Sequence, residues 1–142
     1  MKILVVDDEK DIPVLFEQRF KQEIKSGIFE FYYTFSAEEA IRYLKLKITP
    51  HLMLILSDIN MPGMNGLDLL KTVKSDYPHI SVFMLTAYGD AYNSQTAFEY
   101  GAEEIINKPI NFIYLKNILL EFKQIHQEKE EGSADDKDSR GG

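Results

Sequence analysis

The chain has 142 residues, of which 44% are hydrophobic, and this length and composition suit one ordinary globular domain. Its formal net charge is −7, which argues against direct nucleic-acid binding because such surfaces usually need clustered Lys and Arg. The sequence has no Cys, so disulfides and thiolate metal sites are excluded, and any metal site must use oxygen or His ligands.

The apolar segments are too short to cross a membrane. None approaches the roughly 18 consecutive apolar residues that a membrane-spanning helix requires. The apolar start of the chain runs into Asp7 and Asp8 too early for a signal peptide. The sequence therefore predicts a cytoplasmic protein without membrane association.

Short apolar runs alternate with amphipathic helical segments along most of the chain. The runs predicted as strands are residues 3–6, 29–35, 52–56, 81–85 and 104–107. The segments predicted as helices are residues 12–20, 36–46, 66–75, 91–100 and a last helix from 111 onward. This alternation is typical of an α/β fold in which helices cover both faces of a parallel sheet.

The composition changes near residue 127. Residues 1–126 carry the alternating apolar pattern and are predicted to form a single domain. Residues 127–142 are rich in charged residues, Gly and Ser and have no apolar periodicity. We expect this second segment to be a disordered tail or the start of a linker.

Polar residues follow four of the predicted strands. Asp7 and Asp8 follow the first strand, Asp58 the third, Thr86 the fourth and Lys108 the fifth. The carboxyl ends of parallel strands share one edge of a sheet, so we expect these side chains to meet. Three close carboxylates repel one another unless a cation lies among them, and Mg²⁺ prefers such oxygen ligands. With a Lys and a hydroxyl beside it, the set suits phosphoryl transfer to a carboxylate, which needs no general base.

Four motifs along the chain resemble, in order and spacing, the receiver domains of bacterial two-component response regulators. They are VVDDE at 5–9, SDINMPGMNG at 57–66, LTAY at 85–88 and GAEEIINKPI at 101–110. The resemblance extends over roughly residues 1–125. It implies a flavodoxin-like, doubly wound five-stranded parallel sheet with the strand order 2-1-3-4-5.

The resemblance also implies roles for the acidic residues. Asp58 would accept a phosphoryl group from a histidine kinase or a phosphotransfer protein. Asp7, Asp8 and the Asp58 carboxylate would bind Mg²⁺, and the backbone carbonyl of Asn60 would complete the protein's share of the ligands. The implied function is phosphorelay signalling by a change of conformation, rather than turnover of a substrate as an enzyme.

The resemblance assigns the remaining polar residues to switching. Thr86 would be the switch hydroxyl, Lys108 would pair with the phosphoryl group, and the Lys108–Pro109 peptide would be cis. Ile105 departs from the family pattern, because receivers commonly carry Tyr or Phe there, and the large Tyr88 two residues past Thr86 is also unusual. The output partner or domain is not identified by the sequence, and a phosphorylation-dependent homodimer is compatible with it.

Other interpretations stay open at this point. Asp7 and Asp8 could merely cap the following helix. A Mg²⁺-dependent phosphohydrolase with Asp58 as nucleophile is the chief rival function, although related aspartate phosphatases usually carry a second acid where this chain has Asn60. A pseudo-receiver that only docks partners is the third. The chain could act as a stand-alone receiver, a relay intermediate or part of a larger regulator.

Overall fold

A computed structural model gives the fold, with the backbone described for residues 1–141 and side chains for residues 1–127. The strands are β1 (Lys2–Val6), β2 (Glu30–Thr34), β3 (Leu52–Asp58), β4 (Ser81–Ala87) and β5 (Glu104–Lys108). The helices are α1 (Ile12–Arg19), α2 (Lys21–Lys25), α3 (Ala37–Lys45), α4 (Gly66–Asp76), α5 (Ala91–Glu99) and α6 (Phe112–Gly141).

The strands form one five-stranded parallel sheet in the order β2-β1-β3-β4-β5. Successive side chains of a strand face opposite sides of a sheet. On β1, Leu4 and Val6 join a core cluster with residues of α3, α4 and α5. On the other face, Phe16 of α1 packs against Phe31 of β2 with ring centroids 5.4 Å apart. The predicted fold class and strand order are therefore confirmed.

The helix predicted over residues 12–20 is observed as α1, which ends one residue earlier, at Arg19. A second short helix, α2, follows it after Phe20, whose φ of −111° and ψ of 23° separate the two helices. The Phe20 ring is fully buried and contacts the rings of Phe16 and Phe29. Residues 21–25 contain no buried side chain, so no apolar periodicity marks α2, and this short helix was not predicted.

Three strands continue beyond their apolar runs. β3, β4 and β5 end at Asp58, Ala87 and Lys108, whereas the predicted ends were residues 56, 85 and 107. The parallel register pairs Asp58 with Leu85 and Ala87 with Lys108. The apolar runs in the sequence stop where polar side chains begin, but the backbones of neighbouring strands stay paired beyond that point. The candidate site residues Asp58, Thr86 and Lys108 are thus held by the sheet itself.

The chain divides into two compact units, Met1–Ile110 and a second that begins at Asn111. In the second unit, the Asn111 side chain accepts hydrogen bonds from the backbone N–H groups of Ile113 and Tyr114 at the start of α6. Side chains from residue 128 onward lie outside the described part, so the disordered tail over 127–142 stays a prediction. No helix among the described residues is long and apolar enough to cross a membrane.

Candidate functional site

Three carboxylates meet at the carboxyl edge of the sheet. Asp7 and Asp8 directly follow β1, and Asp58 is the last residue of β3. One carboxylate oxygen from each of the three lies within 4.8 Å of the others. Asp7 and Asp58 are buried, whereas Asp8 is exposed. The helix that follows has Asp11 as its N-cap residue, so Asp7 and Asp8 do not occupy the capping position.

Lys108, at the end of β5, contacts two of these carboxylates. Its Nζ lies 2.9 Å from Asp58 Oδ2 and 3.2 Å from Asp7 Oδ2. Glu9 Oε1 lies 3.9 Å from the same ammonium group, a contact that was not predicted. The only sequence feature that could have indicated it is the position of Glu9 in the VVDDE motif. The structure therefore brings together the predicted Asp7, Asp8, Asp58 and Lys108.

The electrostatic environment shifts both members of the central ion pair. Burial raises the pKa of Asp58, and the charge of Asp7 adds to this, while Lys108 and the Asn60 N–H oppose it. Burial acts to lower the pKa of Lys108, but hydrogen bonds and charges from Asp58 and Asp7 outweigh it, so this pKa is raised. Lys108 is therefore a fixed cation at neutral pH. The three aspartates carry three negative charges when ionised, and Lys108 offsets one of them. A divalent cation would neutralise the remaining two charges.

The loop between β3 and α4 shapes the Asp58 side of the site. The Asn60 N–H donates to Asp58 Oδ1 at 3.2 Å. The Ile59 N–H donates to the Leu85 carbonyl at 3.0 Å, and the Gly66 N–H donates to the Ile59 carbonyl at 2.8 Å. A Cβ on Gly66 would lie 2.1 Å from the Asp58 carbonyl oxygen, so only glycine fits there. Gly66 was predicted only as the start of a helix, because the sequence pattern carries no sign of this close approach.

Thr86 lies on β4 one residue beyond the partner of Asp58 in the register. It is fully buried, and its hydroxyl has no hydrogen-bond partner among the described residues. Ile105 pairs with Met84 and packs, half-buried, against the core cluster. The Lys108–Pro109 peptide is cis, as predicted.

A cavity of about 250 Å³ lies at the opposite end of the sheet, near the starts of β3 and β4. It is lined by residues that include Tyr43, His51, Leu52, Tyr77 and His79. None of the predicted site residues lines this cavity. The chemistry-bearing residues instead lie on the open carboxyl edge of the sheet.

The fold and the acidic edge agree with sequence similarity to known proteins. The family model of the response regulator receiver domain matches residues 3–120. The chain belongs to this family. Receiver domains are signalling domains of two-component systems, and Mg²⁺ dependence and phosphorylation are general features of the family.

The matched relatives differ in how much of their own length this chain spans. Sporulation initiation phosphotransferase F of Bacillus subtilis is 31% identical over 121 residues, which cover 85% of this chain and 92% of that protein. Response regulator protein FleR of Pseudomonas aeruginosa is 33% identical over 108 residues, which cover 76% of this chain. The matched segment spans only 21% of FleR.

Solved structures show the same fold. A CheY-like response regulator receiver domain protein from Methanospirillum hungatei has a TM-score of 0.75 and 29% sequence identity. That similarity covers 91% of this chain and 97% of the other. A response regulator receiver domain protein from Clostridium thermocellum has a TM-score of 0.73 and 28% identity, over 87% of this chain and 97% of the other.

Proposed function

We propose that this receiver domain accepts a phosphoryl group on the carboxylate of Asp58 and signals by changing conformation. The supporting observation is the placement of that carboxylate between two donors. Its Oδ2 accepts from Lys108 Nζ at 2.9 Å and its Oδ1 from the Asn60 N–H at 3.2 Å. These bonds fix the plane of the carboxylate at the open edge of the sheet. The nucleophile is thereby held before a phosphoryl donor arrives.

The transfer itself needs few protein groups. One oxygen of Asp58 forms a bond to phosphorus while the bond from phosphorus to the donor's leaving group breaks, and the leaving group takes the electron pair. The carboxylate attacks as an anion, so no general base is required. Lys108 neutralises charge on the transferred group, and the unpartnered Thr86 hydroxyl is available to donate to one of its oxygens. The donor would be a histidine kinase or a phosphotransfer protein.

The acidic residues fit a Mg²⁺ ion. Asp7, Asp8 and Asp58 would hold it, with the backbone carbonyl of Asn60 as a further ligand. One carboxylate oxygen of each of the three aspartates lies within 4.8 Å of the others, and their three negative charges exceed the single positive charge of the nearby Lys108 ammonium. When bound, the ion neutralises the carboxylates and the oxygens of the phosphoryl group.

Acetyl phosphate labelling tests this function. With Mg²⁺, the intact mass of the wild-type protein should rise by one phosphoryl group, and Asp58→Asn should abolish the rise because an amide replaces the nucleophilic anion. EDTA should block labelling. The control is Asp76→Asn, which changes an exposed Asp at the end of α4 and should be labelled like the wild type. Equal labelling of Asp58→Asn and the wild type would refute the assignment. Sustained turnover of a small phosphate ester, which is not an activated donor like acetyl phosphate, would instead favour a hydrolase.

We propose that the domain passes its signal on through a partner protein or an attached domain. NtrC of Escherichia coli is named a DNA-binding transcriptional regulator, and the matched segment spans 22% of that protein. A net charge of −7 on this chain supports output through a partner protein or an attached domain, and not through direct contact with DNA.

A further inference from the structure

A carboxylate on a neighbouring helix contacts the loop that borders the acidic site. Glu38 lies in the first turn of α3, and its Oε1 accepts a hydrogen bond from the Met64 N–H at 2.8 Å. Met64 belongs to the loop between β3 and α4, the same loop that carries Asn60. The two partners are 26 residues apart in the chain. Glu38 therefore joins α3 to this loop.

The absence of a side chain at Gly63 leaves room for the Glu38 carboxylate beside the loop. Gly63 adopts a φ of +79°, and a Cβ built there would lie 2.8 Å from Glu38 Oε1. A side chain at position 63 would therefore compete with Glu38 for space. The Met64 N–H is the largest cause of a lowered pKa of Glu38, so the carboxylate is ionised and accepts hydrogen bonds at neutral pH.

Separate contacts hold the two ends of the same loop. At the inner end, Ile59 bonds to β4 and Asn60 bonds to Asp58. At the outer end, Asn65 caps α4 by accepting from the Asp68 N–H at 3.0 Å. Glu38 holds the stretch between these ends from a different element of the fold.

We propose that Glu38 is a positioning residue of the acidic site. By holding Met64 it keeps the loop, and with it the Asn60 backbone, in the conformation that binds a divalent cation beside Asp58. This inference rests on the proposed function of Asp58. Glu38 acts through the loop, because a backbone that is already ordered loses less conformational entropy when the cation binds.

Calorimetric titration of Mg²⁺ into the metal-free protein tests the role. Glu38→Ala removes the acceptor, whereas Glu38→Gln keeps an oxygen at the same length and loses the charge. The half-saturating Mg²⁺ concentration should rise roughly threefold or more in Glu38→Ala, as expected for one lost hydrogen bond. The half-saturating concentration of Glu38→Gln should stay near that of the wild type. The control is Glu104→Ala, which removes an exposed carboxylate at the start of β5 and should also keep the wild-type value.

Amide exchange provides a second measurement that needs no cation. In the metal-free protein, exchange at Met64 and Asn60 should accelerate in Glu38→Ala and stay near the wild-type rate in Glu38→Gln. An equal loss of Mg²⁺ affinity in both variants would overturn the proposal, because it would indicate a charge effect instead of a positioned loop. Unchanged affinity and exchange in Glu38→Ala would also overturn it.

The two proposals fail in different ways. A wild-type protein that binds no Mg²⁺ and is not labelled at Asp58 would overturn the proposed function, and with it the role of Glu38 at the site. A wild-type protein that is labelled at Asp58, beside a Glu38→Ala variant with unchanged Mg²⁺ affinity, would overturn only the positioning role.

Discussion

Thr86 carries a buried hydroxyl without a hydrogen-bond partner among the described residues. Most buried polar side-chain atoms in proteins have a partner, and one without costs about 1–3 kcal/mol of stability. This loss of stability has an explanation if the hydroxyl gains its hydrogen-bond partner only when the protein is phosphorylated. A phosphoryl oxygen on Asp58 would be that partner, because Thr86 follows the residue that pairs with Asp58 in the sheet.

Replacing Thr86 by Val should therefore separate stability from signalling. Val has nearly the shape of Thr but no hydroxyl, so the free energy of unfolding of the unphosphorylated protein should rise by about 1 kcal/mol in urea titrations. The conformational response to the phosphoryl mimic beryllofluoride should weaken. Thr34→Val is the matched control, since Thr34 also has a buried, unpartnered hydroxyl. It should gain stability and respond normally. A Thr86→Val variant less stable than the wild type would contradict this interpretation.

The residues of the site differ in how well the sequence revealed them. Asp7, Asp8, Asp58 and Lys108 were predictable because each follows or ends a strand, and parallel strands bring their carboxyl ends together. Glu38 was not, because a Glu in the first turn of a helix already has an ordinary explanation in the helix dipole. Its contact with the loop depends on a tertiary approach that no local pattern encodes.

At the scale of elements, the sequence predicted the order and type of the strands because each is a short apolar run between helical segments. The ends of β3 and β4 were placed two residues too early, since the polar side chains of the site interrupt the pattern before the backbone stops pairing. The short helix α2 was not predicted, because it has no buried residue and therefore no apolar stripe. The ends of strands and helices thus depend more on backbone geometry than on the hydrophobicity of the side chains.

The junction of β3 and α4 should tolerate no side chain at Gly66. A Cβ would lie 2.1 Å from the Asp58 carbonyl oxygen, so Gly66→Ala must displace backbone. We expect a loss of about 1–3 kcal/mol in the free energy of unfolding, as for other overpacked sites, measured in urea. Labelling of Asp58 by acetyl phosphate should also slow, because the nucleophile moves.

Gly27→Ala provides the comparison for that variant. Gly27 has a φ of +79° but nothing within 4 Å of an added Cβ, so its substitution strains the backbone without displacing a neighbour. It should lose stability and keep the wild-type labelling rate. A Gly66→Ala protein with wild-type stability and labelling would show that the junction adapts more easily than its geometry indicates.

For the whole molecule, the site residues all lie within the compact unit Met1–Ile110. A signal that starts at Asp58 must therefore pass through an element of this unit that has two conformations of similar free energy. Ile105 is a poor candidate, because it is half-buried against the core and has no polar tip to favour solvent.

The segment that follows Thr86 is a better candidate. In α5 the buried residue is Ala97, while Tyr92 and Phe98 are 79% and 71% exposed. The preceding turn contains Gly89, with a φ of +85° and nothing within 4 Å of its Cβ position. A segment with so little buried apolar surface opens or shifts at a lower free energy than the strands do.

We therefore expect phosphorylation to act mainly on residues 87–100. When beryllofluoride occupies the site with Mg²⁺, Thr86 and Lys108 should be drawn toward it, and the turn attached to Thr86 should follow. Amide exchange between residues 87 and 100 should change, while methyl NMR shifts of Ile105 should report an unchanged rotamer. Asp58→Asn, which lacks the acceptor carboxylate, should show no change in exchange over residues 87–100 and serves as the control. A rotamer change at Ile105 beside unaltered exchange over residues 87–100 would place the signalling route through β5 instead, because the core contact of Ile105 would then be the contact that phosphorylation breaks.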